Sequence, residues 1–264
     1  MASEESRRAT PLDVAIDAAR DAGALLRARV ATTTDYELKG SQHDLVTEAD
    51  HRAEDLIIEH ISAAFPDHGV VSEERDPHQL GARYRWVVDP IDGTTNFAHG
   101  IPFFAVSIAL ERDGDLALGV LYDPVRDELF TAEVGEGAYV NGRPIRVSTV
   151  TEMRRAVLAT GFPHKPGLRE ANMRHFERLV PITQGMRRFG SAALALAYVA
   201  AGRLDGYWDL DLNRWDLAAG ALLVTEAGGR VTNGDGEPLP NDEGHIIASN
   251  GHLHDELLTH LQGG

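Results

Sequence analysis

The sequence predicts a protein of mixed α and β structure, of the α+β class. Three observations lead there. Apolar residues at 12, 16, 19, 26 and 30 recur at the helical period, and Ala53, Leu56, Ile57 and Ile61 repeat it in a second segment. The stretch 103–147 alternates short apolar runs with turns at Asp113-Gly114, Gly135, Gly137 and Asn141-Gly142, the pattern of antiparallel hairpins. From Ala156 onward, strand-like and helix-like runs alternate instead. The change of pattern near residue 150 divides the chain into two expected sub-domains, 1–150 and 151–264, within one compact unit.

The elements follow in order. Residues 1–10 are polar, and Leu12 to Val30 reads as an amphipathic helix. Residues 32–46 look irregular or extended. Thr47-Glu48-Ala49-Asp50 has the form of a capping box, with Asp in place of Glu, and opens a helix reaching about Phe65. Gly69–Ser72 is a short strand ending at Glu73-Glu74, and 75–84 a polar loop. Trp86–Val88 is a buried strand that ends in two carboxylates, Asp89 and Asp92, around Pro90. Gly93 turns the chain, and Thr94, Thr95 and Asn96 suit a helix N-terminus. Strands are expected at 103–110, 116–122, 128–133, 138–147 and 156–160. A helix over 168–180, a strand over 185–189, a helix from Ser191 to Ala201 and a strand from Tyr207 to Leu210 follow. A helix over 215–227, strands at 230–232 and 245–248, and a helix from His252 to Leu261 complete the chain.

Bulk composition excludes several classes of function. A hydrophobic content of 43% supports a real core and rules out disorder. A net charge of −16 is the reverse of a nucleic-acid footprint and unsuited to an anionic membrane surface. The absence of cysteine removes thiol nucleophiles, disulfides and thiolate zinc sites together. No apolar run approaches the length of a membrane span. Arg7-Arg8 is followed by Ala-Thr-Pro-Leu-Asp rather than the apolar core of an export signal, so a cytoplasmic protein is expected.

The segment 86–96 carries the chemistry. It sets hard carboxylate oxygens beside the free N–H groups of a helix start. Hard oxygens suit Mg²⁺, and free N–H groups suit a phosphate. A phosphate ester approaching so acidic a chain meets a repulsive field, which bound cations must reverse locally. Metal-assisted phosphate chemistry is the inference.

Asp89-Pro-Ile-Asp-Gly-Thr-Thr-Asn96 resembles the signature of the inositol monophosphatase family, within the Mg²⁺-dependent, lithium-sensitive phosphatase superfamily. Lys39, the run Asp44-Leu-Val-Thr-Glu-Ala-Asp50, Glu73-Glu74, Trp215–Gly220 and Glu226–Gly229 match that family in order. The likeness extends from about residue 12 to the last helix. It implies a layered αβαβα sandwich with the site between the halves, two or three Mg²⁺ per subunit, and a homodimer. It also implies hydrolysis of a phosphate monoester, first of all myo-inositol 1-phosphate, by a metal-activated water. In a two-metal site one in-line displacement has both its attacking and its leaving oxygen stabilised.

Carried onto this chain, the resemblance assigns Glu73 and Asp89 to a first metal, with the Ile91 carbonyl, and Asp89, Asp92 and Asp216 to a second. A third, weaker metal would lie near Glu73 through water. Thr94, oriented by Asp50, would polarise the attacking water together with Glu73, with Lys39 near the metal-bound waters. The N–H groups of Gly93 and Thr94 would bind phosphate. Asp92, Arg187, Gly190, Ala192 and Asp209 would contact the substrate's polyol. Asp209 stands where the family commonly has glutamate, and Asp211 where it commonly has glycine.

Fructose-1,6-bisphosphatase, histidinol-phosphate phosphatase and adenosine 3′,5′-bisphosphate phosphatase are alternatives in the same superfamily. Gly93–Asn96 and Gly190–Ala193 look more like the inositol group. Some bacterial relatives act as transcription- or ribosome-associated regulators, a non-enzymatic alternative. Asp209-x-Asp211-x-Asn213 opens like a calcium loop, but Arg214 and Gly220 replace its required glycine and glutamate. His252 and His254 are expected to be exposed helix residues rather than ligands.

Overall fold

The computed structural model describes residues 9–30, 37–38, 45–46, 48–239 and 244–262. Lys39, Asp44 and Thr47 lie outside the described residues. The first half runs α1 (Pro11–Arg29), β1 (Glu37–Leu38), β2 (Leu45–Val46), α2 (Glu48–Ala64), β3 (Gly69–Ser72), β4 (Tyr84–Asp92) and α3 (Thr94–Ala98). Strands β5 (Ala105–Arg112), β6 (Asp115–Asp123), β7 (Glu128–Glu133), β8 (Gly137–Val140) and β9 (Arg143–Ile145) follow. The second half runs β10 (Val157–Thr160), α4 (Pro166–Leu179), β11 (Gly185–Arg187), α5 (Ala192–Ala200), β12 (Gly206–Leu212), α6 (Arg214–Glu226), β13 (Arg230–Thr232), β14 (Gly244–Ser249) and α7 (His254–Gln262).

Strands β3 to β9 form a seven-stranded sheet in sequence order, parallel only at β3–β4. The remaining long-range sheet has five strands in the order β11-β10-β12-β14-β13, parallel on either side of β10 and antiparallel beyond. Side-chain alternation sets the layers. Trp86 and Val88 of β4 point to α1 and α2, while Val87 between them points to α5 and α6. Ala159, Tyr207, Ile246 and Ala248 of the smaller sheet face the same two helices from the other side. Leu158, Trp208 and Ile247 face outward to α4 and α7. The result is the αβαβα sandwich, with α5 and α6 as its central layer. Because each sheet is covered on both faces, its strands read as continuous apolar runs rather than alternating ones.

Local chemistry explains the element boundaries. Thr10 and Asp13 cap α1 reciprocally, Asp13 N donating to Thr10 Oγ1 at 3.1 Å and Thr10 N to Asp13 Oδ2 at 3.0 Å. The expected strand 138–147 is broken by Asn141-Gly142, whose φ of 49° and 73° turn the chain between β8 and β9. Close packing of α6 depends on Gly119 of β6, where a Cβ would come within 2.9 Å of Ala219 Cα. Among the described residues no helix is long and apolar enough to cross a membrane.

A candidate metal centre and its cleft

Strand β4 continues to Asp92 instead of ending at Val88. Asp89 sits opposite Ser107 of β5 and Asp92 opposite Ala105, so three residues advance on β4 against two on β5. In a regular strand residues three apart face opposite sides. The bulge puts Asp89 and Asp92 into one cluster, and Pro90 sits inside it, where a missing N–H is tolerated. Asp216, half-buried in the first turn of α6, joins them from the second half of the chain. The three carboxylates each offer an oxygen within 4.8 Å of the others, the one such group of acidic and histidine side chains among the described residues.

Glu73 follows β3, and its N–H donates to Val88 O at 3.3 Å. Its charge helps raise the pKa of both Asp89 and Asp216. Glu54 of α2, which sequence reasoning did not single out, clamps both sides of it. Glu54 Oε1 accepts from Ser72 Oγ and from Glu74 N at 3.1 Å, and Oε2 from Arg75 Nε at 2.8 Å. The signal was present: Glu54 lies one helical turn after Asp50, on the face that carries Ala53 and Ile57 inward.

Gly93 precedes α3 with φ 103°, and a Cβ there would meet Phe103 O at 3.1 Å and Gly190 O at 3.2 Å. Only glycine fits that position. The expected N-terminal threonine cap is therefore absent, since Gly93 caps α3 and Thr94 is its first helical residue. Thr94 Oγ1 lies 3.0 Å from Ile91 O and 3.3 Å from Asp50 Oδ1. Asp50 is fully buried. Asn96 ties this turn to the second half, donating to Phe103 O at 2.7 Å and Phe189 O at 2.8 Å.

Burial pushes the Asp89 carboxyl well above its ordinary range, and Glu73, Asp92 and Asp216 push it further. Burial and the charges of Glu73 and Asp92 do the same to Asp216. Burial raises Asp92 to about 6, against three backbone N–H groups and the Ser191 hydroxyl, which favour its charged form. The cluster offers oxygen donors only, crowded and mostly buried, so protons or a hard cation must compensate its charge. That donor set fits Mg²⁺ and not a thiophilic metal.

The cluster opens into a cleft of about 370 Å³ that Glu73, Asp92, Gly190, Ala192, Asp209 and Asp216 help to line. Arg187 does not line it. It is exposed and donates to Met186 O at 2.9 Å, and its neighbour Arg188 lines the cleft instead. Adjacent residues leaving an extended strand point to opposite sides, and the doublet Arg187-Arg188 gave no clue to which one turns inward. Asp209 is buried, with Oδ2 accepting from Tyr207 Oη at 2.9 Å and Oδ1 from Leu210 N at 2.7 Å. Burial raises its pKa, and that of Tyr207 well above the usual phenol value. Asp211 receives Lys165 Nζ at 2.7 Å. Away from the cleft, His254 corrects an expectation: it is fully buried, with Thr232 Oγ1 and Ser249 Oγ each 3.0 Å from its ring nitrogens.

Fold and cleft together define a layered sandwich whose acidic centre joins β4 to α6 and whose cleft is lined from both sheets. The model of the inositol monophosphatase family matches residues 8–263, and the chain belongs to that family. An inositol-1-monophosphatase of Mesorhizobium japonicum is 44% identical over 255 residues, spanning 95% of this chain and 96% of the relative. A Nus factor SuhB of Pseudomonas aeruginosa is 45% identical over 262 residues, 95% of each chain. The crystal structure of the extragenic suppressor protein suhB from Bartonella henselae superposes with a TM-score of 0.91 at 45% identity, covering 96% of this chain and 98% of that one.

Proposed function

We propose that this chain hydrolyses phosphate monoesters in a Mg²⁺-dependent reaction, with myo-inositol 1-phosphate foremost among its substrates. Its family and the relatives named inositol-1-monophosphatase support phosphatase activity. The observation that carries the reading is the meeting of Asp89, Asp92 and Asp216 beside the Gly93 turn.

In this reading Asp89, Asp92 and Asp216 hold one Mg²⁺, and Glu73, Asp89 and the Ile91 carbonyl another. Bound there, the metal supplies Lewis acidity and lowers the pKa of water. The chain's own groups do the rest. A threonine hydroxyl has one hydrogen and two lone pairs. Thr94 gives its hydrogen to Ile91 O or Asp50, which leaves the lone pairs to accept from the attacking water. Glu73 takes the other proton of that water as its oxygen bonds to phosphorus, the ester P–O bond breaks on the opposite side, and the departing alkoxide takes a proton from solvent water. The N–H groups of Gly93 and Thr94 receive the phosphate oxygens. Asp209 and Ala192 bound the space for the leaving alcohol. The two sub-domains, 1–150 and 151–264, supply opposite walls of this space, and two chains pair as a homodimer. Light scattering at micromolar concentration tests the dimer.

The test of the activity is phosphate release from inositol 1-phosphate after EDTA treatment and after Mg²⁺ is restored. Turnover that EDTA leaves undiminished sinks the metal mechanism. A second reading has one observation in its favour, the name Nus factor borne by relatives of 42% and 45% identity. It adds a transcription-associated role to the enzymatic one, and a pull-down against RNA polymerase checks it.

A further inference from the structure

We propose that Arg188 is the cation that recognises substrate in this cleft, its guanidinium binding the non-bridging oxygens of the phosphate ester. The inference rests on the phosphatase reading and extends it to a residue which that reading leaves idle. Three observations carry it.

Five carboxylates, Glu73, Asp92, Asp209, Asp211 and Asp216, stand on the cleft's walls, and among the described residues Arg188 is the one arginine or lysine that lines it. Among the described side chains, an incoming phosphate dianion therefore meets one arginine or lysine charge there. Moreover, no hydrogen bond or ion pair of the Arg188 side chain exists among the described residues. Other arginines near the sheets are engaged: Arg85 and Arg214 share Glu111, Arg126 pairs with Asp123 and Arg203 with Glu128. Arg188 keeps its donors available in a chain with a large excess of carboxylates.

The third observation is its placement. Gly190 has φ 83°, and a Cβ there would lie 3.0 Å from Arg188 Nη1. The missing side chain lets the guanidinium rest against the backbone. Gly190 O lies 3.2 Å from where a Cβ of Gly93 would be, so the loop bearing Arg188 touches the turn assigned to phosphate. Two facing glycines thus bring a planar, permanently charged fork to the phosphate end of the cleft. Such a fork makes parallel bonds to two phosphate oxygens, which an ammonium cannot.

The experiment uses the full chain loaded with Mg²⁺ and compares wild type with Arg188→Met, Arg188→Lys and, as control, Arg187→Met. For Arg188→Met, KM for inositol 1-phosphate and Ki for inorganic phosphate should rise together by about tenfold to a hundredfold, the range for a hydrogen bond to a charged group. Its kcat should fall less than about fivefold, because the contact is made in ground and transition states alike. Arg188→Lys should recover part of the loss, and Arg187→Met should match wild type. Calorimetric binding of inorganic phosphate to the Mg²⁺-loaded proteins gives a readout that needs no turnover. Equal KM and equal phosphate affinity in wild type and Arg188→Met overturn the assignment, as does a loss confined to kcat. A wild type that releases no phosphate from any monoester overturns the phosphatase reading instead, and the calorimetric comparison still decides Arg188.

Discussion

The backbone N–H of Ala193 donates to Asp92 Oδ2 at 2.7 Å, so the carboxylate that ends β4 also caps α5. Ala192 N reaches Oδ1 at 3.1 Å, and the Ser191 hydroxyl donates to Oδ2. A helix start favours a carboxylate in its ionised form. The central helix layer and the proposed metal ligand therefore fix each other's position.

Ser191→Ala should test this coupling. Ser191 is itself the N-cap, accepting from Leu194 N at 3.2 Å, so its loss should cost about 1–2 kcal/mol of stability. It should also weaken Mg²⁺ binding, since Asp92 loses a donor that favours its charged form. Thermal unfolding and a Mg²⁺ titration check the two effects. A variant less stable but unchanged in Mg²⁺ affinity would separate the cap from the ligand and refute the coupling.

Asp89→Asn should lower turnover by about a thousandfold or more, the scale of losing one charged transition-state contact. It should also raise the melting temperature of the metal-free protein, because it removes a carboxyl whose ionisation is opposed by burial and by the charges of Glu73, Asp92 and Asp216. A variant that keeps a tenth of the wild-type rate speaks against Asp89 as a shared ligand. One that melts lower in EDTA speaks against crowding of charge at the cluster.

The pH dependence has a defined sign. Asp89, Asp92 and Asp216 all have folded pKa values above the unfolded ones, Asp92 at about 6. The metal-free native state binds more protons than the unfolded chain, so these groups contribute stability at acid pH that is lost as pH rises, for Asp92 through about 6. Mg²⁺ takes the deprotonated form, so the melting-temperature gap between Mg²⁺ and EDTA should widen from about pH 5 to about pH 7.5. Buried His254, lowered to about 4, works in the opposite sense: its stability is present above its unfolded value and lost as pH falls through 4. That contribution is common to both conditions and cancels in the gap. A gap independent of pH would show that metal binding displaces no protons.

Asp209 should make the enzyme permissive. Its carboxylate is committed to Tyr207 and Leu210, and a Cβ on Gly161 would overlap its Oδ2, so it lies packed against the wall. Glycerol 2-phosphate should be hydrolysed within about tenfold of inositol 1-phosphate. In Asp209→Glu the added methylene carries the carboxylate towards the cleft and should sharpen the preference by about 1 kcal/mol. The ratio of kcat/KM values in both proteins decides it. A hundredfold preference already in wild type, or an unchanged ratio in the variant, removes Asp209 as the limiting contact.

Sequence and structure agree where chemistry is local and periodic. The helical repeat of α2 and the turn at Asp113-Gly114 could be read because each depends on a few neighbouring residues. The motif around Asp89 marked the centre, but not the bulge that brings Asp89 and Asp92 to one side. Glu54 escaped notice, and the bond from Ser191 to Asp92 could not be read, because the partners lie 20 and 99 residues apart. Arg187 entered the expected site through the family resemblance, and a doublet at a strand end carries no sign of which member lines the cleft. His254 looked like a surface residue until Thr232 and Ser249 supplied its hydrogen bonds.

The shared central layer has a consequence for synthesis on the ribosome. The inner face of the large sheet, with Val87, Ala109, Leu121 and Phe130, is covered by α5 and α6, whose first residues, Ala192 and Arg214, come well after β9 ends at Ile145. Until residue 226 has left the exit tunnel, the nascent chain carries an uncovered apolar face of the kind that aggregates or recruits chaperones. Asp216 rides on the helix that ends this exposure. The helix that completes the cover of the large sheet also delivers the third of the clustered carboxylates, so a product truncated before it lacks both the cover and the cluster.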